Sequence, residues 1–390
     1  MNGLPMARPT SSPRPLHLGV DLSDAGAHPA AWRTHGSQAQ RLFDAERLQH
    51  LVDTAQRGTL DLVVIDDSFS LQPTRSTTLR GRLDAALVAA RLAPRSRGIG
   101  LVPTVATTHT EPFHVSKAIA TIDHVSGGRA GWQLGWSADE QDANHFGRGA
   151  ALSEAAAVAE AEEAVEVVSA LWDSWEDDAE IRDQATHRYV DRAKLHYVEH
   201  DGVHFAVKGP SITPRPPQGQ PPIVVRVGSD ESFGLAARHA DVVRISATSR
   251  EEALDLRLRL RAAAAAAGRE PGDLRVLVDA FVVTGPDQAS ARARLDLLTE
   301  LEGVRWDTDS LTHVGTAREL ADTLLAWWEI GAVDGFVVRP SSLHTDLDAL
   351  VDGVVPMLRT ARAFREHYNG PTLRDQLGLV HPANRYAAIA

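Results

Sequence analysis

Five short stretches of this chain gather hydroxyl, carboxylate, amide and aromatic groups closely enough to do chemistry. Asp66, Asp67 and Ser68 follow one apolar run, and Thr107, Thr108 and His109 follow another. Gln133, Trp136 and Ser137 end a third, Gly228, Ser229 and Ser232 follow a fourth, and Arg339 follows the last. Gly228 to Ser232 reads as a strand-to-helix turn, whose unpaired N–H groups and positive dipole end can hold a phosphate. Asp230 and Glu231 in the same turn repel an anion, and Arg226 or Arg244 offsets them only by facing the same pocket. Trp132 and Trp136 suit a flat ligand, although a buried indole is as readily plain core. Asp66, Asp67 and Ser68 have the composition of a helix cap as much as that of a ligand. His109 and His114 have no carboxylate to complete a metal set, so no metal is expected. The serine-nucleophile elbow and the phosphate-binding P-loop are both missing.

The elements that must position these groups alternate in type along the chain. Leu16–Val20, Asp61–Ile65, Gly98–Val105 and Gly131–Gly135 read as strands, as do Ile223–Val227, Val242–Ile245, Arg275–Val283 and Gly335–Val338. Helical stretches lie between them: Asp44–Arg57, Leu83–Arg91, Ser153–Trp175, Ser232–His239, Arg250–Gly268, Ala289–Leu301 and Ala317–Gly331. Apolar strands alternating with helices imply parallel βαβ units covered on both faces. Eight such strands predict a (β/α)8 TIM barrel, which places its chemistry at the C-terminal strand ends, where all five stretches fall. Residues 1–15 read as a flexible N-terminal arm and 16–390 as a single barrel domain. Within it, 177–220 is an insertion after the fourth strand, expected near the mouth, with a hairpin around Asp201-Gly202. Thr345 to Ala363 reads as a C-terminal helix, and 365–390 as an extension that wraps the barrel or reaches a partner.

Composition narrows the function. The 390 residues carry a formal charge of -12, with 43% hydrophobic and 24% charged residues, as in a globular chain with a sizeable core. That charge argues against nucleic acid or an anionic membrane as partner. With no cysteine, disulfides, thiolate metal sites and cysteine nucleophiles are excluded, so redox chemistry has to come from a bound cofactor. The Pro/Ser-rich N-terminus has no apolar core and no run of 18 apolar residues occurs, which predicts a cytoplasmic protein. Residues and spacing alone reach a barrel enzyme of unknown cofactor.

Several longer stretches go further. TTHTEPFHVSKAIATIDHVSGGRAGW (Thr107–Trp132), LWDSWEDDA (Leu171–Ala179), HFAVKGPSITPRPPQGQPPIVV (His204–Val225) and FREHYNGPTLRDQLGL (Phe364–Leu379) resemble the luciferase-like monooxygenases of the nitrilotriacetate/dibenzothiophene-sulfone type. The resemblance implies a bacterial-luciferase-like barrel that takes reduced FMN from a separate NAD(P)H:flavin reductase, reacts with O2 and oxygenates a small organic substrate. It further implies a homodimer or higher homo-oligomer, with Trp172, Trp175, Trp327 and Trp328 as interface candidates or as rings packed on the barrel wall. Carried over residue by residue, the flavin-contacting Asp falls on Asp67 and the Thr after the third strand on Thr107 or Thr108. The fourth-strand positions fall on Trp136 and Ser137, and the phosphate-binding Ser on Ser229 or Ser232 beside Gly228. Catalytic residues are not assigned by the resemblance.

The chain also departs from that pattern. Its fourth strand reads Trp132-Gln133-Leu134-Gly135-Trp136-Ser137 where the family has W-N-x-V-T-S, so a Trp stands in place of a small Thr. The family's flavin-contacting His and Tyr fall on Glu154 and Val158. These departures keep two further readings open: a deazaflavin- or flavin-linked dehydrogenase, and a flavin-free, non-catalytic barrel subunit.

Overall fold

A computed structural model describes residues 14–72, 79–147, 150–304 and 306–387. Most of the expected N-terminal arm lies outside them. The strands are β1 (His17–Asp21), β2 (Leu62–Ile65), β3 (Gly100–Ala106), β4 (Trp132–Gly135), β5 (Ile223–Arg226), β6 (Val242–Ile245), β7 (Arg275–Thr284) and β8 (Gly335–Pro340). Each pairs in parallel with the next, and β8 returns to β1 with His17 opposite Gly335, which closes the barrel. These are the eight runs expected from the sequence. A ninth short strand, Leu311–Gly315, was not anticipated; it extends the sheet beside the upper half of β7, pairing Ala280 with Leu311.

The barrel interior is built in two layers by the period-2 alternation of strand side chains. Leu62, Val64, Val102, Val224, Val242, Leu277 and Val337 form a buried apolar layer towards the N-terminal end. Two residues further along the same strands the side chains turn polar, and that upper layer makes the site.

The C-terminal extension has a role that the sequence left open. Its short helix Leu373–Leu377 contributes Leu373 and Leu377 to the lower apolar layer and so plugs the base of the barrel, while beyond it Pro382, Asn384 and Arg385 lie along the outside against Arg215, Asp173 and Trp175. Gly100 and Gly131 leave room for it: a Cβ at either would come within 2.5 and 3.2 Å of the Leu373 side chain. The expected helix from Thr345 to Ala363 is broken into Leu343–Asp348, a π turn at Ala349–Val354, and Val355–Thr360, which has Pro356 in its first turn.

The insertion also differs from expectation. Gln218 donates from Nε2 to the carbonyl of Ala130 (2.8 Å), just ahead of β4, and from its backbone N to Asp123 (3.1 Å). Arg215 pairs with Asp173 at the end of the helix Glu154–Asp173. The return to β5 therefore lies at the N-terminal end of the barrel, opposite the mouth. The helix runs antiparallel to β4, so whatever follows it starts at the far end. Within the insertion, His200–Asp201 pairs with Ala206–Val207, the hairpin expected around Asp201-Gly202.

Candidate active site

Every strand sends one polar side chain into the upper layer: Asp21, Asp66, Thr104, Gln133, Arg226, Arg244, Asp279 and Arg339, from β1 to β8 in order. Arg244 is the hub. It is 2% exposed and donates from Nε (2.8 Å) and Nη2 (3.0 Å) to the two oxygens of Asp279, a bidentate pair, and from Nη1 to Gln133 Oε1 (2.7 Å). Gln133 Nε2 donates on to Thr104 Oγ1 (2.7 Å), and Thr104 Oγ1 donates to Asp66 Oδ1 (3.0 Å). Burial alone would raise Asp21, but Arg244 and Arg339 outweigh it and hold its carboxyl below the usual carboxylate range. Burial likewise disfavours the Arg244 charge, yet Asp279 and Asp21 reverse that and raise its pKa above the ordinary guanidinium value. The layer is a fixed set of charges needing no solvent to hold it, the preorganised setting in which electrostatics act most strongly.

Above this layer opens a cavity of about 400 Å³ lined by Asp66, Asp67, Gln133, Trp136, Arg226 and Gly228, among others. Arg226 is the cation that faces it; its side chain is 45% exposed and its Nε lies 3.3 Å from Asp279. A larger cleft, about 1030 Å³, lies elsewhere, at the base between the helix Glu154–Asp173 and the C-terminal tail. The strand ends that carry chemistry in this fold point to the smaller one.

The residues singled out in the sequence divide into two groups. Asp67, Trp136 and Gly228 line the cavity. Asp67 also accepts from the backbone N of Ser68 and of Ala85 (both 2.8 Å), so it anchors the entry to the helix Ala85–Leu92 as a cap would, and burial raises its pKa. Trp136 Nε1 donates to Glu154 Oε1 (2.9 Å), so the residue aligned with the family's His orients the indole instead. Val158, at the family's Tyr position, is buried core.

Thr107, Thr108 and Ser137 brace the loop from behind. Thr107 Oγ1 donates to the Gly135 carbonyl (3.2 Å), Thr108 Oγ1 accepts from Ser137 N (3.1 Å), and Ser137 Oγ donates to Asp142 (2.6 Å). Both threonines are buried.

Ser229 caps the helix Asp230–His239 in a capping box with Ser232. The buried Ser232 hydroxyl accepts from the amides of Gly228 (3.0 Å) and Ser229 (2.9 Å). An arriving phosphate meets a turn whose amides already have a partner.

Of the upper layer, Asp66, Gln133 and Arg339 were named from the sequence and Arg226 and Arg244 weighed as counter-charges, whereas Asp21, Thr104 and Asp279 were missed. The layer's signal was available. In six strands the polar residue stands two positions after an apolar one, as in Val64-x-Asp66, Val102-x-Thr104 and Leu277-x-Asp279. Among the described residues no group of three His, Asp or Glu could hold a metal ion, and no helix is long and apolar enough to cross a membrane.

The cavity can be tested against the cofactor that the sequence resemblance implies. Its volume is in the range of small-molecule sites, roughly 300–1,000 Å³. The indole of Trp136 with Leu134 and Val227 gives apolar wall for a flat ring, and Arg226 gives a cation for an anionic one. At Gly228 a Cβ would meet nothing within 4 Å, so the approach over the turn is open. The residues present fit a flavin ring at the mouth.

Known proteins bear on the same question. A luciferase-like monooxygenase family profile matches residues 25–322. N-acetyl-S-(2-succino)cysteine monooxygenase from Bacillus subtilis (strain 168) is 31% identical, over 97% of this chain and 100% of that one. Nitrilotriacetate monooxygenase component A from Aminobacter aminovorans is also 31% identical, over 95% and 98%. EDTA monooxygenase from Chelativorans sp. BNC1 superposes with a TM-score of 0.86 at 27% identity, covering 94% of this chain and 99% of that one. With the closed barrel, the polar ring at its mouth and these matches along nearly its whole length, the chain belongs to the luciferase-like monooxygenase family of flavin-dependent monooxygenases.

Proposed function

We propose that the protein uses reduced FMN and O2 to oxygenate a small organic substrate, the reduced flavin arriving from a separate NAD(P)H:flavin reductase. The observation that carries this reading is the cavity above the buried ring, lined by both the Trp136 indole and the half-exposed Arg226 guanidinium. Bound reduced flavin supplies the electrons that activate O2. The chain supplies binding and orientation. Trp136, locked by Glu154, offers the apolar face for the ring. Arg226, tied at one nitrogen to Asp279, keeps the rest of its fork free for the anionic cofactor, where a charge-assisted contact is strongest. The Ser229 hydroxyl, which caps the helix Asp230–His239 by bonding Ser232, is the group that the resemblance gives to the phosphate end, reached by turning from Ser232 to the ligand. Asp279 and Asp21 keep Arg244 charged beneath the ring position, so the field there is fixed by the fold.

A homodimer or larger assembly belongs to the same reading and is supported by the resemblance alone. Trp172 and Trp327 are buried, and Trp175 Nε1 donates inward to Ser211 O (2.7 Å), so these rings pack on the protein's own frame. The proposed function is tested by mixing the protein with reduced FMN, isotopically labelled O2 and candidate substrates. Transfer of one labelled oxygen atom into an organic product is expected. Water or hydrogen peroxide as the only labelled product, whatever the substrate, overturns it.

A further inference from the structure

Two carboxylates follow β2, and the fold uses them differently. Each oxygen of Asp67 already accepts a backbone amide, Ser68 N at Oδ1 and Ala85 N at Oδ2 (both 2.8 Å), so that side chain serves as a cap. Asp66 has one engaged oxygen and one open one. Its backbone N donates to Ser23 Oγ (3.1 Å) and its Oδ1 accepts from Thr104 Oγ1 (3.0 Å), which holds the carboxylate in place. Among the described residues Oδ2 takes no hydrogen bond, yet it is not closed off from solvent. It opens on the mouth cavity that the half-buried Asp66 lines. A space of about 50 Å³ that Asp66 also lines is too small for a ligand.

The direction of the hydrogen bonds decides what that oxygen can take. A guanidinium has donors and no acceptor, so the Gln133 atom that Arg244 Nη1 meets (2.7 Å) is Oε1. Gln133 Nε2 is left to donate to Thr104 Oγ1 (2.7 Å). The Thr104 hydroxyl, having accepted that hydrogen, gives its own to Asp66 Oδ1. Asp66 thus stands at the accepting end of a chain that starts at a buried cation, and its open oxygen fits a donor.

The charges on the cavity wall divide in the same way. Arg226, the cation there, comes from β5, with β3 and β4 between it and β2, and its Nε is held by Asp279 (3.3 Å). Beneath the cavity Arg244 is engaged by Asp279 and Asp21. Asp309, exposed at the rim, adds a further carboxylate to the wall. The cavity has a cationic pole at Arg226 and an anionic one at Asp66, with Trp136, Leu134 and Val227 as apolar wall.

We propose that Asp66 determines the substrate class: its open oxygen receives an N–H of a small organic amine, bound as the ammonium, whose apolar part lies against Trp136, Leu134 and Val227. The proposal rests on the mouth being the flavin site, with Arg226 serving the flavin, since a substrate must lie beside the ring.

The test is equilibrium titration of the full chain, without flavin and at neutral pH, against benzylamine, benzyl alcohol and benzyltrimethylammonium. Tryptophan fluorescence reports binding, because Trp136 lines the same cavity. A charge-assisted hydrogen bond predicts that the amine binds about tenfold more tightly than the alcohol. The quaternary ammonium, which keeps the charge but has no N–H, should also bind more weakly than the amine. Asp66→Asn should bring the amine down to the alcohol's affinity, and Thr104→Val, which frees the carboxylate to turn, should lose part of the preference. Asp309→Asn removes a charge from the same wall without touching the chain of hydrogen bonds and should keep most of it. Equal binding of amine and alcohol by the wild type, a quaternary ammonium as tight as the amine, a preference unchanged in Asp66→Asn, or an equal loss in Asp309→Asn overturns the proposal. Should Asp66→Asn fail to fold by circular dichroism, the wild-type ratios and Thr104→Val decide. No flavin is present, so a failure of reduced FMN to bind would sink the flavin reading and leave the amine preference measurable by itself.

Discussion

Single residues fix the charges at the barrel mouth, and Arg244 carries the clearest consequence. Its guanidinium neutralises Asp279, which is 1% exposed, so removing it strands a carboxylate away from water. Breaking one side of a buried pair typically costs about 3–5 kcal/mol. Arg226, 3.3 Å from the same carboxylate, can take over part of the pairing, so Arg244→Met should cost nearer about 3 kcal/mol in urea unfolding. Arg244→Met combined with Asp279→Leu should recover much of that loss. A single variant as stable as wild type would mean that Asp279 is protonated or hydrated in the fold. Arg226 and Arg244 stood as possible counter-charges on the sequence alone, but which one faced the pocket was not legible. The alternation that turns both inward is a property of strand register, and pairing decides whether an inward arginine is sealed or open. The same limit applies to Ser232: the spacing places it in the turn, and only the fold shows its hydroxyl accepting from the turn's own amides.

At the scale of elements, strands and helices were legible because their apolar runs are long and their caps conventional. Asp44, Ser153 and Ser249 each cap the helix that the sequence places after them. The strand Leu311–Gly315 was missed because a threonine and a histidine break its apolar run. The direction of the insertion was missed because composition does not tell the top of a barrel from its base. Glu163 shows how that insertion is held. It accepts from His200 Nε2 (2.9 Å) and from the amides of Val203, His204 and Phe205, clasping the hairpin to the helix Glu154–Asp173. Burial by itself would raise Glu163, but the His200 ring and the Phe205 and His204 amides outweigh it and bring it down to about 2. A depressed carboxylate stabilises above its unfolded pKa, about 4.3, and that contribution is lost as pH falls from there towards 2. The hydrogen-exchange protection factors of the amides of 203–205 should therefore fall across this window in the wild type and be already low throughout in Glu163→Ala. Equal protection in both would contradict the clasp.

The plug gives a second prediction at this scale. Leu373 is buried against the lower barrel layer, so Leu373→Ala should destabilise by about 2–5 kcal/mol, read from the midpoint of denaturant unfolding. A loss below about 1 kcal/mol would mean that the tail rests on the barrel without filling it.

For the whole molecule, the closed barrel and the family were legible from eight strand runs and four long motif blocks. The site was legible only at its rim: Asp67, Trp136 and Gly228 line the cavity, whereas the hydroxyls of Thr107, Thr108 and Ser137 are engaged within the loop. Assembly follows from none of these features. A homodimer is expected by light scattering; a monomer mass independent of concentration would contradict it. The central claim is that the mouth is a flavin site, and anaerobic titration with reduced FMN and reduced riboflavin, in wild type and Ser229→Ala, tests it most directly. Saturable binding of one reduced FMN per chain, with quenching of tryptophan fluorescence, is expected. A charge-assisted hydrogen bond is worth about 1.5–3 kcal/mol, so Ser229→Ala should bind FMN roughly ten- to a hundredfold more weakly and riboflavin unchanged. Absence of saturable binding, or equal FMN affinity in the two proteins, would contradict the placement of the cofactor at this mouth.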